Sequence, residues 1–267
     1  MNAYVSVLKL RFVTGLQYRA AAAAGIATQL FFGFIFMTAY MAFYENSAAE
    51  PPMALTEIVC YIWLQQMFLG FIALWFRDQD IFQLITSGNI AYELCRPCSI
   101  YRFWYAKLLA TRLAGVALRC SPLLLVIFFL PEPYRMSPPP TPTAFVLFLV
   151  TLALGLLVVV ALSMLIYISV FWTLSPVGST LIIAVAGEFF AGMILPVPLM
   201  PGWLQDIVYA LPFRWTADFP FRVYSGQIGT VEALLGIPIQ LFWLIALAAF
   251  GRFLLRRALR NVVVQGG

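Results

Sequence analysis

Histidine is absent from all 267 residues of the chain. That absence removes His-based catalytic triads, His-ligated metal or haem sites and imidazole proton relays. No G-x-x-x-x-G-K-[ST] stretch occurs either, so the chain has no P-loop of its own for a nucleotide. Charge is scarce, at 10% of residues against about 25% in soluble domains. A large soluble catalytic domain is thereby excluded, because no stretch is long and polar enough to form one. Cysteines number four, and Cys95 and Cys98 make one C-x-x-C around Arg96 and Pro97. Two thiols without histidine do not complete a tetrahedral metal site, so these read as free thiols. No apolar run holds two acidic residues, and Asp206 and Asp218 lie outside the runs with no glycine-rich frame. No catalytic, cofactor-binding or metal residues are expected in this chain.

What is abundant is apolar surface. Hydrophobic residues make up 63% of the chain and aromatic ones 16%, and mean hydropathy is +0.93. Roughly 20 mostly apolar residues cross a bilayer as a helix. Six segments qualify: Ala20–Tyr44, Thr56–Phe76, Lys107–Leu130, Ala144–Trp172, Val177–Leu199 and Val231–Leu255. They are continuous runs, unlike the alternating short segments of a β-barrel. The expected fold is an all-α integral membrane bundle of six transmembrane helices, one domain over residues 1–267.

The basic residues set a topology. Lys9, Arg11 and Arg19 precede the first run. Arg77, Arg96, Arg102 and Lys107 lie between the second and third, and Arg252, Arg256, Arg257 and Arg260 follow the sixth. That gathers 11 of the 16 basic residues on one side, which the positive-inside rule makes cytoplasmic. The opposite side holds Arg135, Arg214 and Arg222, and its first loop carries Glu45 and Glu50. Both termini are therefore expected inside. The net charge of +5 is a topology signal on this reading, and nucleic acid is not an expected partner.

The connections differ in kind. Residues 1–19 place Val5, Leu8, Phe12 and Leu16 at helical spacing beside Lys9, Arg11 and Arg19, the pattern of an interfacial helix touching membrane lipid. Residues 77–106 form the longest inner connection, with a helical pattern around Ile90, Leu94 and Ile100 interrupted at Pro97. The segment Pro131–Pro142 holds six prolines and is expected to be stiff and extended. Residues 196–230 are too polar to cross yet rich in aromatics, and short helices dipping into the outer leaflet are expected there. No internal repeat is evident.

Glu188 is the one acid deep inside an apolar run, and Arg119 sits near the middle of the third run with Arg112 seven residues earlier. Isolated charges at a helix centre cost about 2.5–3.5 kcal/mol on insertion scales. A Glu188–Arg119 pair is one expectation, either gating a translocation path or serving as a plain interhelical bond. Trp63, Gln65, Gln66 and Phe68 are candidates for lining a cavity, with ordinary packing as the alternative. Gly187 and Ala191 give a small-x-x-x-small spacing suited to close helix approach.

Two segments carry a resemblance. Gly88-Asn89-Ile90-Ala91-Tyr92-Glu93-Leu94-Cys95-Arg96-Pro97 is similar to a G-x-x-x-x-E-L-x-R-P cytoplasmic element. Leu211-Pro212-Phe213 followed by Phe219-Pro220-Phe221-Arg222-Val223-Tyr224-Ser225-Gly226 is similar to an L-P-F … F-P-x-x-x-Y-x-G outer segment. Together with the order of spans, the chain resembles the ABC-2 type transporter permeases, in particular a bacterial subgroup with two different membrane subunits beside one ATPase. The resemblance implies the membrane subunit of an exporter in the bacterial cytoplasmic (inner) membrane. It implies two partner ATPase subunits that carry ATP and Mg, and a second permease copy or a paralogous permease. It places Glu93, Leu94 and Arg96 on the ATPase-coupling helix and Pro212, Phe219, Pro220, Tyr224 and Gly226 in an outer re-entrant lid. The alternative is a secondary transporter or channel not coupled to ATP, for which one acid and two arginines make a thin ion relay.

Overall fold

The computed structural model describes residues 3–46, 51–76, 78–173 and 175–260. Glu50 and Arg77, used above for topology, lie outside them. Helix accounts for 79% of the structure and no strand occurs among the described residues, so the chain is all-α. In chain order the helices are α1 (Ala3–Gly15), α2 (Arg19–Glu45), α3 (Leu55–Ile72), α4 (Gln79–Thr86), α5 (Ile90–Leu94), α6 (Ile100–Phe128), α7 (Pro142–Thr173), α8 (Pro176–Phe190), α9 (Gly202–Tyr209), α10 (Asp218–Ser225) and α11 (Thr230–Leu259). Short 3-10 turns at Val197–Leu199 and Arg214–Thr216 flank α9.

Among the described residues five helices, α2, α3, α6, α7 and α11, are long and apolar enough to cross a membrane. The fifth expected run does not form one helix from Val177 to Leu199. α8 stops at Phe190 after 15 residues, about 22 Å at 1.5 Å per residue, short of a hydrocarbon core of about 30 Å. The chain turns at Gly192, whose φ of +79° suits glycine, and Pro196 and Pro198 follow. Hydropathy stays high through this break, so the apolar run outlasts the helix.

Burial separates central from peripheral helices. α3 and α7 are mostly buried, whereas α2, α6 and α11 turn most of their apolar surface outward. Polar side chains point the other way: Gln65, Gln66, Thr151, Ser163 and Gln240 are buried. This inside-out distribution is that of a bundle solvated by lipid. Gln240 on α11 shows how it works locally. Its amide donates to Thr151 O and Trp215 O, both at 2.9 Å, where the Arg214–Thr216 turn crosses α7. Gly155 permits that crossing, since a Cβ there would lie 2.9 Å from Thr216 O.

One end of the bundle gathers α1, α4, α5, the start of α6 and the final turns of α7 and α11. Tyr4 Oη accepts from Ser99 N at 3.0 Å, Phe82 stacks near Tyr167 with centroids 4.6 Å apart, and Arg252 lies 5.4 Å over Tyr101. We call this the charged end. The α1 helix packs along α6 there. Val5 is exposed and Val7 is buried, and Gly15 approaches so closely that a Cβ would sit 2.6 Å from that of Ala114. The packed face runs Val7, Arg11, Gly15 at helical spacing, because Arg11 has an acid to meet.

Candidate functional site

At the charged end, sequence and electrostatics build a clamp. Asp78 caps α4, accepting from Asp80 N at 3.1 Å and Ile81 N at 3.4 Å. Its carboxylate also meets Lys107 Nζ at 3.0 Å, and both partners are buried. Lys107 reaches Asp80 at 3.3 Å, and Asp80 in turn binds Arg11 of α1 at 2.6 Å. The Arg11 hydrogen bond, with the Lys107 charge beside it, holds the Asp80 carboxyl below the usual carboxylate range. Thus α1, α4 and α6 are joined by alternating charges.

The α5 segment stands against this clamp. Glu93 is 6% exposed and pairs inward with Arg96 at 3.2 Å, while the Arg96 guanidinium lies 5.1 Å over the Phe103 ring. Glu93 is thus mostly covered, with its charge met by Arg96 one helical turn on. The residues presented to the surroundings are Tyr92, 72% exposed, Leu94, 43% exposed, and half of Arg96. A polar pocket of about 450 Å³ lies between α1, α4 and α5, lined by Arg11, Gln83, Asn89, Glu93, Arg96 and Lys107 among others.

Within the bundle, the expected Glu188–Arg119 pair does not form. No ion pair involves either residue among the described ones, and Glu188 Oε1 is buried without a hydrogen bond. α8 packs chiefly on α7, and Gly187 sits against Leu74 and Phe213, consistent with the close-approach role of a small residue. Trp63 is fully buried. Its indole N–H donates to Tyr134 O at 2.8 Å, and its ring meets Phe34 at 5.6 Å and crosses Gly33 of α2. Gln66 is buried beside it, and Gln65 donates to Gly192 O at 2.9 Å. These residues lock α2, α3 and the turn after α8 together.

Arg112 has a role that its position in an apolar run concealed. Its guanidinium donates to Phe71 O at 2.7 Å, Ala73 O at 2.9 Å and Gly70 O at 3.4 Å, and to Ser163 Oγ at 2.9 Å. A cation on the last carbonyls of α3 satisfies orphan acceptors and complements the helix dipole.

The opposite end is sealed by α10. Asp218 is wholly buried. It accepts from Tyr61 Oη and Val197 N, each at 3.2 Å, and pairs with Arg222 at 3.4 Å. Arg222 continues to Gln227 Oε1 at 2.6 Å, and Gln227 donates to Pro52 O at 3.1 Å. Arg214, also buried, lies 4.1 Å over Tyr209 and 4.7 Å over Trp215. Around this centre the motif residues are structural. Pro212, Phe219, Pro220 and Tyr224 are buried, Phe219 against Gly236 of α11, and Tyr224 donates to Ser137 O at 3.3 Å. Gly226 ends α10 at φ +84°, with Pro140 packed over it. Beside Tyr224 an apolar cavity of about 570 Å³ opens between α3, α6, α7 and the proline-rich loop. No group of three metal-ligating side chains occurs among the described residues.

The Asp218 centre was not anticipated. Its only sequence signal is the Asp218–Arg222 spacing of one helical turn; nothing in the sequence joins it to Tyr61. Compared with known protein families, with characterised proteins and with solved structures, the chain matches none.

Proposed function

We propose that the chain is the membrane-embedded permease subunit of an ATP-driven exporter, working beside a separate ATPase pair and a second permease copy or paralogue. The observation that carries this reading is the α5 knuckle. The segment with the G-x-x-x-x-E-L-x-R-P pattern folds as a short helix at the charged end, pinned from within by Glu93–Arg96 and presenting Tyr92 and Leu94. A rigid apolar knuckle on a clamped base suits the transmission of a push from a docked subunit. In this reading Glu93 is a positioning residue, and Tyr92, Leu94 and Arg96 make the contact.

The topology is proposed as six crossings with both ends inside. Tyr4 and Arg252 meet the same Ser99–Tyr101 stretch, which calls for an even number of passages. Five long helices are odd in number, and α8 with the Val197–Leu199 turn and α9–α10 supplies the remaining passage as a helix and a re-entrant return. The α1 helix then lies at the inner interface, with Val5, Leu10 and Val13 outward to lipid, and the Asp218 centre forms the outer lid. Charge asymmetry assigns the inner side to the bacterial cytoplasm.

Purification from native membranes in mild detergent tests the proposal. An ATPase subunit carrying its own P-loop is expected to co-purify. A monodisperse chain with no nucleotide-binding partner would contradict the proposal and favour uncoupled transport.

A further inference from the structure

Independently of the transport reading, Arg119 marks a site that the bundle leaves open. α6 carries Arg112 and Arg119 seven residues apart, hence on one face. Arg112 is saturated by the α3 carbonyls and Ser163. Arg119 meets no carboxylate and no hydrogen-bond acceptor among the described residues. Its guanidinium instead lies over Gly25 of α2, where a Cβ would come within 2.8 Å of Cζ. Side chains on a helix lean toward its N-terminus, and α6 begins at the charged end. Arg119 therefore reaches from mid-helix toward that end, the direction in which a charge in a bilayer finds polar surroundings.

What it reaches is a cavity. A wedge of about 280 Å³ between α1, α2, α3 and α6 is lined by Arg11, Thr14, Tyr18, Thr111, Arg112 and Arg119, with small residues of α2 along one wall. None of its lining residues is acidic among the described ones. Arg11 is partly neutralised by Asp80, but Arg112 and Arg119 have no acid partner among the described residues. A wedge with unbalanced guanidinium charge and nearby hydroxyl groups suits an anionic phosphate group, which accepts paired N–H donors from a guanidinium.

We propose that this wedge binds an anionic phosphate group, with Arg119 as its principal ligand. The source is the headgroup of an anionic phospholipid, whose chains would lie along α2, or a soluble phosphate entering from the charged end.

Thermal unfolding of the full-length protein in neutral detergent separates the cases. Phosphatidylglycerol, phosphatidylcholine and inorganic phosphate are each added to wild type, Arg119→Gln and Gly25→Ala. A rise in Tm with phosphatidylglycerol, absent with phosphatidylcholine and lost in Arg119→Gln, is expected and assigns the lipid source. A rise with inorganic phosphate that is likewise lost assigns the soluble source. Gly25→Ala serves if Arg119→Gln does not fold. The added methyl group displaces only the end of a flexible side chain, so the protein should fold with its Tm shift reduced. No shift with any anion, or one that persists in whichever variant folds, would overturn the proposal.

Discussion

The two ends of the bundle are held by opposite means. At the Asp218 end the charges are buried and enclosed by hydrogen bonds: the carboxylate has three partners and no exposure. At the charged end the same chemistry is spread over the rim. Asp78–Lys107 is buried, yet Asp80 is 60% exposed and Arg11 35% exposed. Buried pairs lose several kcal/mol when one partner is removed, whereas exposed ones contribute about 0–1 kcal/mol. The difference teaches where the stability of the ends is concentrated. The Asp218 end is the costlier to disrupt, and the rim of the charged end is tied by contacts of small individual worth.

The comparison is broken most severely at Asp218. Asp218→Ala leaves Arg222 and Arg214 buried without a carboxylate, and a loss of about 3–5 kcal/mol is expected, read as a large fall in Tm in detergent. Next comes Arg112→Met, which abandons the α3 carbonyls. Hydrogen bonds to a charged group are worth about 1.5–3 kcal/mol, so a clear but smaller fall in Tm is expected. Arg11→Ala removes only the exposed arm of the clamp and should cost less than about 1 kcal/mol. The pH dependence of that arm has a definite sign. Because the folded Asp80 pKa is lowered from its ordinary 3.8, its contribution is complete above that value and is lost as pH falls through the lowered one. Limited proteolysis of the α1–α2 turn across that acid range would show it, and Arg11→Ala should flatten the response. The smallest effect on stability is at the knuckle. Tyr92→Ala should leave Tm unchanged within about 0.5 kcal/mol while weakening association with a partner. A large fall in Tm there would mean that Tyr92 is packed rather than presented.

Much of this architecture was legible because hydropathy reports depth. The boundaries of α2, α7 and α11 fall within four residues of the apolar runs, whereas α6 begins seven residues before its run, at Ile100. Hydropathy does not report neighbours around a helix axis, which is why Glu188 and Arg119, at suitable depths, look like partners although no ion pair joins them among the described residues. It also overran α8, where Ala191-Gly192 and two prolines, not a loss of apolar character, end the helix. In α1 the apolar stripe says nothing of which face meets the bundle; the close approach of Gly15 to Ala114 and the Arg11–Asp80 bond set that face. Tyr61 and Asp218 are 157 residues apart, and only the folded chain brings them together.

The most direct test of the central claim is ATP hydrolysis by the complex recovered from native membranes, with and without vanadate. The account predicts vanadate-sensitive hydrolysis that co-purifies with the chain and is lost in the double variant Tyr92→Ala, Leu94→Ala at unchanged Tm. Hydrolysis that is absent from the wild-type preparation, or a partner that stays bound and fully active with the knuckle removed, would contradict it.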